Sequence, residues 1–260
     1  MLFLQDSFQL DFTRHDVKGL ARIGNERGYG ILIHSTLALL PGNPATVLGL
    51  AHQLLWVRDG EPYKPQETRR QRTHLGERES QHCSGALEAI GRVPEGACWV
   101  SEGERESDSF AYWEKARALG WECLLRLAHP RCILYEDDSV GHLLDWARSL
   151  APQSQHMMAL RIRPDLAART AMLSLAWAAT RVLPPRNEPA LLSHAPLAVW
   201  VLRVWGDNAS GGEQPLEWLL LSTLPIESAE QARERADWYQ HRWVIEQYHK
   251  AIKTGCGMEQ

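Results

Sequence analysis

Residues 2–12 (LFLQDSFQLDF) alternate apolar and polar side chains, the period-two pattern of a strand with one face buried. Residues 29–41 (YGILIHSTLALLP) and 46–57 (TVLGLAHQLLWV) predict two more strands, and the turn-forming Pro41-Gly-Asn-Pro44 between them predicts a hairpin. A polar stretch over 58–80 follows, with the cluster Arg69-Arg-Gln-Arg72, and predicts an exposed loop. Residues 81–91 predict a short helix and Ala97–Glu102 a fourth strand ending at Gly103. A helix is expected over 108–119 and a fifth strand over 121–127 (WECLLRL). Strands and helices in this order predict a mixed α/β fold.

The pattern changes over 130–215. Short β-like stretches (MMALRIRP, LAVWVLRVW) stand between breaks rich in Pro, Gly and Asn, with one helix-like stretch near 139–149. This predicts a β-rich unit inserted between residues 1–129 and 216–260. Residues 216–222 (LEWLLLS) predict a further strand. One long helix follows, opened by the capping box Ser228-Ala-Glu-Gln231 and closed near Gly255.

Composition narrows the function classes. The chain has 260 residues, of which 44% are hydrophobic, enough for a sizeable core. No apolar run approaches the ~20 residues needed to span a bilayer. The start, Met1-Leu-Phe-Leu-Gln-Asp6, lacks the basic region of a signal peptide. Five scattered cysteines without a C-x-x-C pair argue against a disulfide framework or a zinc ribbon and suggest a reducing cytoplasm. The net charge of −4 excludes DNA binding by bulk positive charge. A nucleic-acid role would rest on local basic groups around an acidic centre. No glycine-rich phosphate loop occurs, and the 11 histidines show no metal-ligand spacing. His82-Cys83 reads as packing, and the Arg69–Arg72 cluster as a solvated loop rather than a DNA contact.

The final helix carries the chemistry. Tyr239, Arg242, Glu246 and Lys253 stand at offsets 0, 3, 7 and 14. At ~100° per residue they fall within an arc of roughly 60°. Val244, Ile245, Tyr248, Ala251 and Ile252 would face the core from the other side. Periodicity alone describes a solvated face with ordinary i,i+4 pairs.

The spacing Y-x2-R-x3-E-x6-K, with its context HRWVIEQYHKAIKTGCGMEQ, resembles the signature of bacterial insertion-sequence DDE transposases of the IS-four type. The resemblance implies an RNase H-like mixed sheet flanked by helices, with the β-rich insertion before the last catalytic helix. It also implies three carboxylates that hold two Mg2+ ions (or Mn2+). Glu246 would be the carboxylate of the signature helix. Gln5-Asp6-Ser7-Phe8-Gln9-Leu10 is similar to the family's first-strand motif and makes Asp6 the first ligand. Gly103-Glu104-Arg105-Glu106-Ser107-Asp108 is similar to the motif after the fourth strand, with Glu104 where the family has aspartate. The extra methylene displaces the carboxylate by ~1.5 Å on a fixed backbone, and a misplacement of about 1 Å can cost roughly a hundredfold in rate. Glu106 and Asp108 are the substitutes nearest at hand.

By the same resemblance Tyr239, Arg242, Lys253 and Arg126 would hold DNA phosphates. Trp218, on the strand feeding the helix, would stack on a base flipped out of the duplex end or else pack in the sheet. The implied partners are double-stranded DNA at transposon ends and target DNA. The implied place is the bacterial cytoplasm, at the nucleoid, with homodimers as the acting form and no membrane. Relatives carry a DNA-binding region before the first strand and helices beyond the signature lysine, so the sequence matches the middle of a family member. Two alternatives stay open: an inactive remnant that at most binds DNA, and a free-standing RNase H-like nuclease.

Overall fold

The structure is a computed structural model describing residues 1–23, 28–58, 79–135, 137–160, 169–206 and 216–258. The Arg69–Arg72 cluster lies outside the described residues, as do the last residues of the expected strand MMALRIRP.

Twelve strands among the described residues join into one mixed sheet. In chain order they are β1 (Leu2–Asp11), β2 (Ala21–Ile23), β3 (Gly28–Leu40), β4 (Thr46–Trp56), β5 (Val100–Gly103) and β6 (Glu122–Arg126). Then come β7 (Cys132–Leu134), β8 (Val140–His142), β9 (Ser154–Leu160), β10 (Arg169–Val182), β11 (Leu197–Trp205) and β12 (Glu217–Ser222). The helices are α1 (Glu79–Ile90), α2 (Phe110–Ala118), α3 (Leu143–Ser149), α4 (Ala229–Gln240) and α5 (Trp243–Lys250). The hairpin expected across Pro41–Pro44 is present: β3 and β4 pair antiparallel around it.

β1 is central. On one side it pairs antiparallel with β3, which pairs antiparallel with β4. On the other side it pairs in parallel with β5, and β5 in parallel with β6. The first half of β1 is buried on both faces, so it carries apolar residues at successive positions instead of strict alternation. Phe3 points into one core with Leu125, Leu221 and residues of α1, α2 and α3, including Leu87, Phe110, Trp113 and Leu143. Leu2 and Leu4 point into the other, with Leu124, Leu220 and residues of α4 and α5, including Ala232, Ala236, Tyr239 and Ile245. Helices therefore cover both faces of the sheet.

The β-rich stretch after residue 130 continues this sheet. β12 pairs antiparallel with β6 on one side and with β11 on the other, and β11 leads on to β10, β9 and β7. No helix among the described residues is long and apolar enough to cross a membrane.

The end of the chain departs from the single long helix expected from sequence. Ser228 caps α4, its hydroxyl accepting from the Gln231 N–H at 3.3 Å, as the capping box predicts. The helix then tightens after Gln240. His241, Arg242, Val244 and Ile245 each donate to a carbonyl three residues back, the bonding of a 3-10 turn. Beyond α5, Ala251–Gly255 forms a π-helical turn, so Gly255 lies inside helical structure. The left-handed glycine at the end is Gly257, with φ +63°. Ala251, expected to face the core, is exposed.

Candidate functional site

The parallel pairing of β1 with β5 brings the first two acidic positions together. Leu4 stands beside Glu102 and Gln5 beside Gly103, so Asp6 in the middle of β1 comes level with Glu104, one residue past the end of β5. On the same face, α5 carries Glu246 and His249 over β1. The three carboxylates named from sequence thus come from three elements on one face of the sheet.

Arg242 ties them. Its Nε lies 2.7 Å from Glu104 Oε1, and its Nη2 forms an ion pair with Glu246 Oε1. Burial works against the charge of Arg242, but Glu104 and Glu246 outweigh it and hold the guanidinium charged, with its pKa above the ordinary arginine value. Tyr239 donates its hydroxyl to Glu104 Oε1 at 2.7 Å. The phenol is buried in the core, and burial followed by the Glu104 charge pushes its pKa well up. Arg126 Nη1 stands 3.9 Å from Glu104 Oε2. Glu104 therefore accepts from Tyr239 and Arg242 and has Arg126 as a further cationic neighbour, and Tyr239, read from sequence as a phosphate donor, here gives its hydroxyl proton to that carboxylate.

Asp6 sits deeper. Its Oδ1 accepts from the Ser7 N–H at 2.9 Å, and His249 Nδ1 lies 3.6 Å from its Oδ2. Burial pushes its pKa up to about 6; Glu106 and Glu104 add to the rise, and Arg242 and the Ser7 N–H oppose it. His249 is pushed down to about 4 by its own burial and by Lys253, so it is neutral at neutral pH, and its ring stacks against Phe8 at 4.1 Å.

The remaining sequence candidates fall at the rim. Trp218 is half-buried on β12 and meets Tyr239 edge-on at 5.2 Å, so it packs against the residue that holds Glu104. Lys253 lies in the π turn with Nζ 5.6 Å from the Phe8 ring centre, further along β1 than Asp6. Asp108, considered as a substitute for Glu104, is fully committed elsewhere. Its Oδ2 accepts from the Ala128 and His129 N–H groups at 2.7 and 2.9 Å, and its Oδ1 pairs with Arg131 at 2.8 Å. It staples the turn after β6 and is no competitor for Glu104.

One residue of this cluster was not singled out from the sequence. Glu102, two positions before Glu104 and on the same strand face, is completely buried, and both its carboxyl oxygens lack a hydrogen-bond partner. Burial pushes its pKa well above the carboxylate range; Glu104 adds to this and Arg242 opposes it. The only signal for it is a charged residue directly after the stretch Cys98–Ser101, within the expected strand.

The donor chemistry fits a divalent cation. Asp6, Glu104 and Glu246 are hard oxygen donors of the kind Mg2+ prefers, and Glu102 beneath them is a buried carboxyl with nothing to bond to. Among the described residues no three such side chains are spaced to hold an ion as they stand. The guanidinium of Arg242 lies between Glu104 and Glu246 and supplies the positive charge there. No protein-family model matches the chain.

Proposed function

We propose that this chain is the catalytic core of a DDE-type DNA transposase, a metal-dependent enzyme that cleaves DNA strands and joins the freed ends to a target. The observation that carries the reading is that Arg242 bonds both Glu104 and Glu246, with Asp6 on the strand beside Glu104. The signature spacing of the last helix, Y-x2-R-x3-E-x6-K, thereby acquires a physical sense. The 3-10 turn at 241–245 lets Tyr239 reach Glu104 from the core while Arg242 and Glu246 remain at its mouth. The antiparallel run β4–β3–β1, extended in parallel by β5 and β6, supports the RNase H-like form of this reading.

Bound divalent ions would make an attacking oxygen nucleophilic and stabilise the leaving oxygen. The chain's own side chains do the rest. Asp6, Glu104 and Glu246 would be the ligands. Tyr239 fixes the Glu104 carboxylate. Arg242 has the planar fork suited to a phosphate of the scissile strand. Arg126 and Lys253 add positive charge on either side, and Trp218 offers an aromatic edge for an unpaired base. Duplex DNA at transposon ends and target DNA are the proposed substrates, and a homodimer the acting form.

The test is cleavage of a DNA duplex with Mg2+ or Mn2+ by the chain itself, by Glu104→Asp and by Glu246→Ala. Cleavage that disappears in Glu246→Ala supports the reading. Cleavage only by Glu104→Asp locates the defect in one methylene of an otherwise intact site. Silence from all three folded proteins overturns the enzymatic reading in favour of an inactive remnant.

A further inference from the structure

Asp6 is flanked on β1 by Gln5 and Ser7, whose side chains point to the opposite face of the sheet. There they enter a closed polar chain within the core. His34, opposite Ser7 on β3, is completely buried. Its Nδ1 lies 2.9 Å from Ser7 Oγ, and its Nε2 lies 3.0 Å from Gln5 Oε1. The Gln5 amide nitrogen donates to Ser101 Oγ at 2.8 Å and to Tyr112 OH at 2.9 Å, and those two hydroxyls bond each other at 2.6 Å. Strands β1, β3 and β5 and helix α2 are thus linked through the two residues on either side of Asp6.

The bonding fixes the protons. With both hydrogens of the Gln5 amide given to Ser101 and Tyr112, its oxygen faces His34, so His34 Nε2 carries the ring proton and Nδ1 accepts from the Ser7 hydroxyl. Burial, followed by the nearby His82, His52 and His249, pushes His34 down to about 3, which keeps the ring neutral and this single tautomer in place. A fully satisfied buried network holds its members in one arrangement. Here the members include Ser7, whose backbone N–H also binds Asp6 Oδ1 at 2.9 Å.

We propose that His34 is a positioning residue for Asp6: by bonding both sequence neighbours of that aspartate from the far side of the sheet, it sets the angle at which the carboxylate enters the site. The proposal rests on Asp6 being a site carboxylate. His34 touches none of the acidic groups itself and acts only through Gln5 and Ser7. Metal-site carboxylates and their supporting partners are coupled in this way when the supporter, not the ligand, sets the pose.

The experiment uses the whole metal-free chain labelled at the aspartate carboxyl carbon, with the Asp6 resonance assigned by its disappearance in Asp6→Asn. His34→Phe keeps a ring of similar volume and deletes both nitrogens. It is expected to shift or broaden the Asp6 resonance while those of Asp145 and Asp237 stay in place. Duplex cleavage is expected to fall roughly a hundredfold in kcat with little change in KM for DNA. Ser7→Ala removes one bond of the chain and keeps the Ser7 N–H, so it is expected to move the Asp6 resonance in the same direction by less. If His34→Phe does not fold, Ser7→Ala decides. An Asp6 resonance unmoved in the folded variants overturns the proposal. Absence of cleavage by the unaltered chain overturns the transposase reading instead and leaves the positioning claim to be decided by the resonance alone.

Discussion

Arg242 Nε and Glu104 Oε1 meet at 2.7 Å, and the same guanidinium reaches Glu246, so the acidic centre already contains one fixed positive charge. That charge also holds down the pKa of Asp6, which burial and the other acids push up to about 6. Arg242→Gln removes it and keeps a polar side chain. The Asp6 carboxyl is then expected to titrate higher than about 6, followed by carbon NMR of the labelled aspartate. A midpoint that stays put or falls would mean that Arg242 is not the group neutralising this centre.

The Tyr239 hydroxyl bond to Glu104 can be tested apart from the ring. Tyr239→Phe keeps the buried aromatic and its edge contact with Trp218 and loses only the donor at 2.7 Å. Because Glu104 keeps Arg242, the expected loss of stability is about 1–2 kcal/mol by urea unfolding. Metal-dependent cleavage should fall more than stability does, since the freed carboxylate is less well aimed. A variant as active as the original chain removes Tyr239 from the positioning of Glu104.

Asp6 makes a pH prediction whose sign follows from its shift. Its folded pKa is about 6 against an ordinary 3.8, so the folded state binds the proton more tightly than the unfolded chain. Its contribution to stability is therefore greatest below pH ~4 and is lost as pH rises through ~6. Asp6→Asn has no such loss. The variant is expected to gain on the original chain between pH 4 and 7, reaching an advantage of roughly 1–3 kcal/mol at pH 8 without divalent cations. Urea midpoints of both proteins across this range measure it, and a constant difference from pH 4 to 8 would show that Asp6 ionises freely.

Much of this was legible in the sequence because it depends on local pattern. The alternation of β1 over Phe8–Asp11, the turn residues between β3 and β4 and the capping box at Ser228 act on their own neighbours. The carboxylates Asp6, Glu104 and Glu246 were legible as a set only through motif spacing. What escaped depends on partners far along the chain. The tight turn at His241–Arg242 has no Pro or Gly to announce it; one account is that Tyr239 is drawn into the core toward Glu104, 135 residues earlier. The continuation of the sheet through β10 to β12 follows from long-range pairing that no short window records. His34 and Glu102 read as polar interruptions of apolar strands, and their meaning appears only with the residues they face.

Asp108 and Glu104 have different surroundings within one motif. Glu104 and Asp108 stand four residues apart, yet only Glu104 faces the site. Asp108 is wholly buried against Arg131, whose side chain is itself 11% exposed, and two backbone N–H groups of the turn after β6 end on the same carboxylate. Asp108→Ala leaves a buried guanidinium and those donors without partners, so it is expected to cost about 3–5 kcal/mol. Asp108→Asn keeps an acceptor of the same shape and should cost less. Neither change touches the group of Asp6, Glu104 and Glu246, so Mn2+ binding by the folded fraction, followed by the resonance of the free ion, should match that of the original chain. Weakened Mn2+ binding in a stable Asp108→Asn protein would instead place this aspartate among the ligands and displace Glu104 from that role.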